Sequence, residues 1–307
     1  MSKVALLGTE YHSIKVKDIL EANTSHRVSI ENLNKNIIQY LKFLFKYEYF
    51  FIIFPTSSYK FIFFLLFPLF LLRKKVYIEW IGSDVLALKA HNSKFKGKLF
   101  SLFSQNLCEC TWIKEELKVL NVKAEIGPFI TFSALFGGAN TITNKNDKQL
   151  NLITYSPKGK EDLYSLNDVL NVTKDMKNVS LNVVAHDGEG LVHNENVIFH
   201  GWVDSNKLAC LYENSDAFIR MTKHDGLSYS VLEAMDKGLQ VIFTYDYPFT
   251  KKANDEMSLR AILLEMAKYK DKGGNLINHE GMNFIKQEFI DGKPSEKKLI
   301  ALFESSC

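Results

Sequence analysis

One stretch of the chain decides the fold: Asp216–Val241, with the sequence DAFIRMTKHDGLSYSVLEAMDKGLQV. The apolar run Ala217–Met221 predicts a buried strand, and Tyr229–Lys237 predicts a helix that ends at Gly238. The run Leu239–Thr244 predicts the next strand. A strand, a helix and a second strand in this order form a βαβ unit, so the sequence predicts an α/β fold with parallel strands.

Polar residues are concentrated in the loop between this strand and this helix. In open α/β sheets a ligand binds beyond the carboxyl ends of the strands, which is where His224–Ser228 lies. Gly226 allows close approach of a ligand to the backbone, and the amides of a helix N-terminus attract anions. Asp225 and Glu233 then offer two carboxylates around a polyhydroxylated anion, since helical side chains lean towards the N-terminus. Spacing alone leaves the structural alternatives open: Asp225 as a mere turn residue, and Glu233 as a carboxylate that only complements the helix dipole.

The same alternation of apolar runs and helices extends over the rest of the chain. Gly137–Lys148, which is polar and rich in Gly and Asn, predicts a boundary between a domain at 1–140 and a domain at 149–307 with a helical tail. The predicted architecture is two Rossmann-like domains facing across a cleft. The further predicted strands are Lys3–Gly8, Tyr49–Phe54, Lys75–Trp80, Gln149–Tyr155, Ser180–Ala185 and Asn196–His200, and the further predicted helices are Ser13–Ala22 and Asn206–Asn214, the second with Ser205 as its N-cap.

Composition excludes several classes of protein. Of the 307 residues, 46% are apolar and 24% are charged, which is ordinary for a globular protein and excludes a disordered or coiled-coil chain. The net charge is only +3, but residues 1–110 carry 15 basic and 8 acidic side chains. This excess of positive charge indicates that the N-terminal part meets an anionic surface or ligand. The alternative is that the charged residues are distributed at random. The start MSKVALLGTE predicts a first strand and not a signal peptide, and the spacing of the four cysteines indicates a reducing cytoplasm.

Phenylalanine is unusually frequent near the N-terminus. Ten of the 23 phenylalanines lie between positions 41 and 72, and Phe61–Leu72 is apolar throughout. These residues are too few to span a bilayer, which needs about 20. Because Arg73, Lys74 and Lys75 follow directly, the stretch fits insertion into an anionic headgroup region. The alternative is a buried crossover helix, and the two are compatible if one face is buried and the other is wet.

The run Arg220–Ser228 and the following Glu233-Ala234-Met235 and Gly238 resemble the E-x7-E region of glycosyltransferase family 4, a retaining family with the GT-B fold. Asp225 stands at the position of the first Glu of that pattern, Leu227 at that of Phe and Ser228 at that of the second Gly. Three further matches resemble other parts of the family. The family's loop before the nucleotide base resembles His200-Gly201-Trp202-Val203, and its N-terminal cleft element resembles Trp80-Ile81-Gly82-Ser83-Asp84-Val85. Its helix before the linker resembles Trp112–Leu120.

The resemblance implies a transferase that moves a sugar from a nucleotide-diphosphate sugar with retention of configuration. Asp225 and the amides of Gly226, Leu227 and Ser228 would hold the donor sugar and the diphosphate, and Glu233 the ribose hydroxyls. Lys158 and Lys160 would offset the leaving-group charge. The remaining positions that the resemblance implies are His224 in the cleft, Val203 near the base, and Gly8, Gly82, Ser83 and Asp84 in the N-terminal domain. Arg220 ends a predicted strand with apolar neighbours, where a charge needs a partner, so we expect it in the cleft, with a buried salt bridge as the alternative.

One departure from the family pattern concerns the pyrophosphate. The family carries an Arg after the first strand of its C-terminal domain, but Ser156 and Pro157 stand there in this chain, before Lys158. No Asp-x-Asp occurs in the sequence, so we expect no essential metal and no cofactor besides the donor.

Expected partners follow from these features: a nucleotide sugar, a glycan or lipid-linked acceptor and an anionic membrane surface, with no nucleic acid. The expected location is the cytoplasm, at the inner face of the membrane. Two other functions stay open, a non-catalytic membrane-bound subunit and a sugar-nucleotide 2-epimerase of the same fold.

Overall fold

The computed structural model describes residues 2–33, 36–91, 93–128 and 148–304, and it divides them into two α/β units. Unit 1 contains the described residues up to 128, Asp225–Leu227 and the described residues from Gly292 onward. Unit 2 contains the described residues from 148 to His224 and Ser228–Asp291. The predicted boundary at Gly137–Lys148 lies outside the described residues except for Lys148, so its position stays a prediction.

Unit 1 is built on a parallel sheet. Among the residues described, this sheet has six strands in the order β2-β1-β3-β4-β5-β6, and every neighbouring pair is parallel. The continuous apolar run of β3 is buried along its whole length, as expected for a strand covered on both faces. The strands are β1 (Lys3–Leu7), β2 (Arg27–Ile30), β3 (Tyr49–Ile53), β4 (Lys75–Trp80), β5 (Gln105–Cys108) and β6 (Ala124–Ile126).

Helices α1 (Glu10–Asn23) and α13 (Pro294–Glu304) lie on one face of this sheet. Phe303 of α13 is fully buried, with its ring centroid 5.4 Å from that of Tyr49 and 5.6 Å from that of Tyr77. The predicted assignment of the whole tail to the second domain is therefore wrong for this helix. The amphipathic pattern of α13 correctly indicates a buried face, but the sheet that it covers belongs to unit 1.

The opposite face of the sheet is covered by helices that follow β2, β3 and β4. Phe43 of α2 (Ile37–Lys46) packs edge-on against Phe50, and Phe100 of α6 (Lys94–Phe103) packs edge-on against Trp80. Phe50 and its neighbour in β3 point to opposite faces because side chains alternate along a strand. The other two helices of unit 1 outside the Phe-rich stretch are α5 (Ser83–Ala90) and α7 (Thr111–Val119).

The Phe-rich stretch forms three consecutive helical segments, α3 (Tyr59–Phe61), a π-helical segment (Ile62–Leu66) and α4 (Phe67–Leu71), which together we call the Phe-rich helix. One face of it is buried and includes Ile62, Leu66 and Leu69, whereas Phe64 is 69% and Leu71 63% exposed. The buried face agrees with the crossover-helix interpretation, and insertion of the exposed face into a membrane stays a prediction. Within the described ranges, no helix has the length and apolar character needed to cross a bilayer.

Unit 2 repeats the architecture with a second parallel sheet. In the part of the chain that the structure describes, its order is β12-β11-β10-β7-β8-β9. The strands are β7 (Leu150–Tyr155), β8 (Val179–Val184), β9 (Val197–Phe199), β10 (Ala217–Arg220), β11 (Gln240–Phe243) and β12 (Lys251–Lys252). The helices are α8 (Leu166–Thr173), α9 (Ser205–Glu213), α10 (Tyr229–Asp236), α11 (Glu256–Asp271) and α12 (His279–Ile285), followed by a π-helical segment at Lys286–Ile290.

The βαβ unit from which the fold was predicted is confirmed, because β10, α10 and β11 follow one another and the two strands pair in parallel. Gly238 has a φ of +76°, a left-handed conformation that suits a glycine after a helix. The predicted cap of α9 is wrong by one residue, since the Asp204 side chain accepts a hydrogen bond from the Lys207 N–H at 2.8 Å and Ser205 is the first helical residue.

Candidate functional site

The predicted site residues of unit 2 gather at one edge of its sheet. Because the neighbouring strands are parallel, their carboxyl ends share that edge. Lys158 and Lys160 follow β7, Arg220 ends β10, and His224 and Ser228 lie between β10 and α10. Strands β7 and β10 are neighbours, so the structure brings these five positions into adjacent loops.

Arg220 is held between two aromatic rings. Its guanidinium carbon lies 4.4 Å from the ring centroid of Tyr164 and 5.5 Å from that of Tyr155, and the residue is buried. A buried guanidinium over aromatic faces keeps its charge and its planar set of N–H donors in a fixed orientation. The charge also opposes the effect of burial on Tyr155, whose pKa burial raises. The structure thus places a fixed cation at the end of the strand beside β7.

Trp202 extends this aromatic cluster. Its ring centroid lies 6.2 Å from that of Tyr155 at an interplanar angle of 72°, although its side chain is 75% exposed. It belongs to the loop after β9, together with the half-buried Val203. A large aromatic side chain left in solvent beside a fixed cation offers a stacking surface for a flat ring.

Lys158 is engaged by two carboxylates of the loop after β8. Its Nζ lies 2.9 Å from an Asp187 carboxylate oxygen and 2.5 Å from one of Glu189. These hydrogen bonds, with that of Glu189 the larger, raise the pKa of Lys158 to about 12. All three side chains are exposed. Lys158 therefore stays charged, but an anionic ligand would have to draw it away from both carboxylates. Lys160 is exposed, and its N–H donates to the Pro157 carbonyl.

A buried histidine ties the same two loops together. His186 is 1% exposed; its Nε2 lies 2.8 Å from Glu161 Oε1, and its Nδ1 accepts from the Gly188 N–H at 2.8 Å. Since Nδ1 accepts, Nε2 is the nitrogen that donates to the carboxylate. Glu161 also accepts from the Gly159 N–H at 2.7 Å, so the backbone of the Lys158–Lys160 loop is fixed from the side of β8.

Glu233 has a tyrosine partner. It is half-buried, and burial raises its pKa, which a hydrogen bond with Tyr212 of α9 partly opposes. Tyr212 itself is buried, and burial together with the Glu233 charge raises its pKa well above the usual range. The tyrosine thus fixes the orientation of this carboxylate.

The turn between β10 and α10 is braced by threonines. The Thr222 hydroxyl donates to the His224 carbonyl at 2.9 Å, and the Thr222 N–H donates to the Thr244 hydroxyl of the loop after β11 at 2.8 Å. His224 is buried at this turn. Ser228, the N-cap of α10, has its hydroxyl 2.8 Å from that of Ser230. The predicted residues at this turn are therefore placed by local hydrogen bonds.

Asp225–Leu227 packs within unit 1. The Trp112 Nε1–H donates to the Asp225 carbonyl at 2.9 Å. A Cβ on Gly226 would lie 2.2 Å from the Ile81 carbonyl oxygen, and a Cβ on Gly82 would lie 2.7 Å from the Gly226 nitrogen. Only glycine fits at both positions, so the two backbones approach more closely than any other residue permits.

The other predicted residues of unit 1 have local structural partners. A Cβ on Gly8, which has a φ of +137°, would lie 2.1 Å from the Ile53 carbonyl oxygen. Asp84 is buried and accepts backbone N–H groups of Gly82 at 2.9 Å and Val85 at 2.8 Å. Burial, partly opposed by these hydrogen bonds, raises its pKa to about 6. Ser83 is the exposed first residue of α5.

Two further acids of unit 1 escaped the sequence analysis. Glu79 in β4 and Glu109 after β5 are buried, and burial together with neighbouring carboxylates raises both pKa values well above the usual range. Neither Glu79 carboxylate oxygen has a hydrogen-bond partner among the described residues. Lys75–Trp80 is a strand that is buried on both faces after Lys75, so position 79 lies in the core, and a carboxylate inside such an apolar run is the signal that could have found this residue.

The comparison with known families identifies the segment that contains most of these residues. Residues 159–256 match the family model Glycosyl transferases group 1. This segment is therefore similar to group 1 glycosyltransferases. It contains Arg220, the His224–Ser228 loop and Glu233, whereas Lys158 lies one residue before it. The predicted class of enzyme, a glycosyltransferase, is confirmed by this match. No curated protein matches the sequence.

Several solved structures have a similar fold, and they include sugar transferases and a putative UDP-N-acetylglucosamine 2-epimerase from Listeria monocytogenes. Anabaena Alr3699/HepE, in complex with UDP and glucose, has a TM-score of 0.66 and 12% identity, covering 100% of this chain and 99% of its own. Sucrose-phosphate synthase (tll1590) from Thermosynechococcus elongatus has a TM-score of 0.66 and 11% identity, covering 99% of each chain. The lipopolysaccharide outer core galactosyltransferase WaaB in its apo form has a TM-score of 0.64 and 11% identity, covering 99% of this chain and 100% of its own. At such identities the likeness shows the fold, and the predicted GT-B class is confirmed.

The surroundings of the predicted site in unit 2 contain side chains that sequence reasoning missed. Tyr212, Tyr155 and Tyr164 contact predicted site residues from α9, β7 and the segment before α8, and their spacing in the sequence gives no sign of it. Trp202 was part of a quoted motif but received no role. Within the described ranges, no group of three or more His, Cys, Asp or Glu side chains is arranged to hold a metal ion.

Proposed function

We propose that this chain transfers a sugar from a nucleotide-diphosphate sugar to a glycan or lipid-linked acceptor of the cell envelope, with retention of configuration. The observation that carries the proposal is the family match of residues 159–256, which includes the loop and helix expected to hold the donor. The presence of UDP and glucose in the Anabaena structure of similar fold favours the same class of donor.

In the proposed donor site, the Glu233 carboxylate, oriented by Tyr212, accepts the ribose hydroxyls. Asp225 and the amides of Gly226–Ser228 hold the sugar hydroxyls and the diphosphate, because amides at the start of a helix favour negative charge. The nucleobase stacks on Trp202, beside Val203.

The proposed cations for the leaving diphosphate are Arg220, Lys158 and Lys160. Arg220 takes the role of the arginine that this chain lacks after β7, since it ends the neighbouring strand and is held by Tyr155 and Tyr164. Lys158 exchanges Asp187 and Glu189 for the diphosphate, which makes its contribution smaller than that of Arg220. The leaving phosphate takes the acceptor proton, so no protein base is required.

A panel of nucleotide sugars in a thermal-shift assay tests donor binding. A ligand at 100 times its dissociation constant adds about 2.7 kcal/mol to the unfolding free energy, which gives a clear shift for the correct donor. The matched control is the nucleoside without phosphates, for which we expect a much smaller shift. If no nucleoside diphosphate or nucleotide sugar shifts the unfolding temperature, the proposed donor class is wrong.

We predict that sugar transfer survives removal of divalent metal ions by EDTA. The charge of the diphosphate is offset by Arg220, Lys160 and the N-terminus of α10, and the chain has no Asp-x-Asp to hold a metal. Turnover measured in EDTA should equal that in buffer. Turnover that disappears in EDTA and returns with Mn²⁺ or Mg²⁺ would show that a metal carries this charge.

We further propose that unit 1 binds the inner face of the membrane through the exposed side of the Phe-rich helix. Phe64 is 69%, Leu71 63% and Phe63 47% exposed, and Arg73 and Lys74 follow directly. Exposed aromatic groups beside cations suit an anionic interface. A membrane-bound enzyme then meets an acceptor that is anchored in the same membrane.

Sedimentation with anionic vesicles tests this binding. We predict that binding weakens with salt without vanishing, because salt screens the cations and leaves apolar insertion intact. Replacing Arg73, Lys74 and Lys75 with Gln should remove most of the salt-sensitive part, and Phe64→Ser should reduce the rest. The matched control replaces three exposed lysines elsewhere: Lys268, Lys272 and Lys297. Protein that stays in the supernatant at low salt would make a soluble acceptor the better proposal.

A further inference from the structure

Unit 1 carries a cavity that the proposed donor site does not use. It lies between α6, α7 and β6 and has a volume of about 680 Å³, which is within the range of small-molecule sites. Four lysines and one glutamate are the charged residues of its lining: Lys98, Lys114, Lys118, Lys123 and Glu125. The cavity is therefore strongly cationic.

The walls of the cavity are held in place by close backbone packing. A Cβ on Gly97 would lie 1.8 Å from the Leu120 carbonyl oxygen, so α6 meets the end of α7 at a distance that only glycine allows. The Ser101 hydroxyl oxygen accepts the Lys123 N–H at 2.7 Å and lies 3.1 Å from the Asn121 carbonyl oxygen. These contacts fix the turn that carries Lys123 into β6.

Two of the four lysines are neutralised by carboxylates and two are not. Lys114 pairs with Glu125 at 2.8 Å, and Lys118 pairs with Glu115 at 3.3 Å. Lys98 and Lys123 are exposed and have no carboxylate partner within the part of the chain that the structure describes. The uncompensated charge of the cavity thus lies on Lys98 and Lys123, which belong to two different walls.

Apolar side chains accompany these cations. Phe95, Lys98 and Leu102 are spaced three and four residues apart and so share one face of α6, where Phe95 and Leu102 are each 59% exposed. The opposite face of α6 packs through Phe103 against Phe67 and Phe70 of the Phe-rich helix. The cavity therefore belongs to the same helical layer as the exposed Phe-rich surface.

We propose that this cavity binds the phosphate headgroup of an anionic membrane lipid, with Lys98 and Lys123 on the phosphate and Phe95 and Leu102 against the acyl chains. The charge selects a phosphate, and the exposed Leu102 of the lining, with Phe95 on the same face of α6, selects a lipid over a free anion. The inference rests on the proposed membrane association only for the source of the lipid. The cavity would add a specific site for one lipid headgroup to a surface that otherwise attracts anionic lipids only through its overall charge.

A water-soluble short-chain lipid tests the site without a membrane. Isothermal titration of the full chain with dihexanoyl phosphatidylglycerol, below its micelle concentration, should show saturable binding. The variant Lys98→Gln with Lys123→Gln should bind roughly 10- to 30-fold more weakly, because each cation near an anionic headgroup contributes about fivefold in affinity. The control variant Lys297→Gln with Lys298→Gln, which removes two exposed cations of α13 in the same unit, should bind like the unchanged protein.

The comparison ligands distinguish the sources of the phosphate. Inorganic phosphate should bind more weakly than the lipid, and dihexanoyl phosphatidylcholine should bind more weakly because its headgroup is neutral overall. Equal binding of inorganic phosphate, equal binding of phosphatidylcholine, unchanged affinity of the lysine variant, or no binding by the unchanged protein would each overturn the proposal. The lysine variant should keep its affinity for nucleoside diphosphate, so a failure of the donor site is measured separately.

Discussion

Replacing Glu233 with Ala should lower the affinity for nucleoside diphosphate roughly 10- to 100-fold. The variant loses the acceptor of the ribose hydroxyls, and hydrogen bonds to a charged group contribute about 1.5–3 kcal/mol each. The fold should persist, because Glu233 is half-buried near the start of α10 and its partner Tyr212 is anchored in α9. Isothermal titration gives the affinity, and circular dichroism checks the fold.

Three further variants sharpen this prediction. Tyr212→Phe should have a smaller effect than Glu233→Ala, because it removes the orienting hydroxyl and keeps the carboxylate. Glu213→Ala removes an exposed glutamate beside Tyr212 and should leave the affinity unchanged. Burial raises the pKa of Glu233, so affinity should rise as the pH increases through that pKa and the acceptor becomes charged. Glu233→Gln should lose this rise. An unchanged affinity in a folded Glu233→Ala protein would show that the ribose lies elsewhere.

Replacing Lys270 with Ala should destabilise unit 2 by about 3–5 kcal/mol, because it leaves a buried carboxylate without its counter-charge. Lys270 Nζ lies 2.9 Å from Asp216 Oδ1, and the two side chains are 2% and 6% exposed. Asp216 also accepts the Asn151 N–H at 2.8 Å, so it cannot turn towards solvent without breaking a second hydrogen bond. Urea unfolding measures the loss.

The matched control is Lys268→Ala, an exposed lysine two residues earlier in the same helix, which should change the unfolding free energy by less than about 1 kcal/mol. Combining Lys270→Met with Asp216→Asn should recover most of the loss, because a neutral pair leaves no buried charge. If Lys270→Ala unfolds at the same urea concentration as the Lys268 control, the pair is not a buried ion pair in solution.

The local patterns of the sequence predict most of the fold. The apolar run at Tyr49–Phe54 and the run Lys75–Trp80 give β3 and β4 to within one residue, because a strand buried on both faces needs continuous apolar side chains. Gly238 ends α10 as predicted. In contrast, α13 was assigned to the wrong domain: its own periodicity shows that it buries Leu299 and Phe303, but not against which sheet.

The site is less predictable, because its geometry depends on contacts between distant positions. Asp225, Gly226 and Glu233 follow from one strand, loop and helix. The partner of Glu233 lies in another helix. The two carboxylates that pair with Lys158 belong to residues about 30 positions further along the chain. Arg220 was assigned to the site as a charge that needs a partner, but the two tyrosines that hold it come from separate elements. Such pairings require the tertiary structure.

The most direct measurement is transfer of a radiolabelled sugar from the donor that the thermal-shift panel selects. The chain is incubated with this donor and a membrane-lipid extract, and nucleoside diphosphate and label in the lipid fraction are quantified together. The proposed function predicts equal release of nucleoside diphosphate and of label into the acceptor, with both strongly reduced in Glu233→Ala. Binding of the donor without release of nucleoside diphosphate would contradict it and favour a non-catalytic subunit that only binds nucleotide sugars.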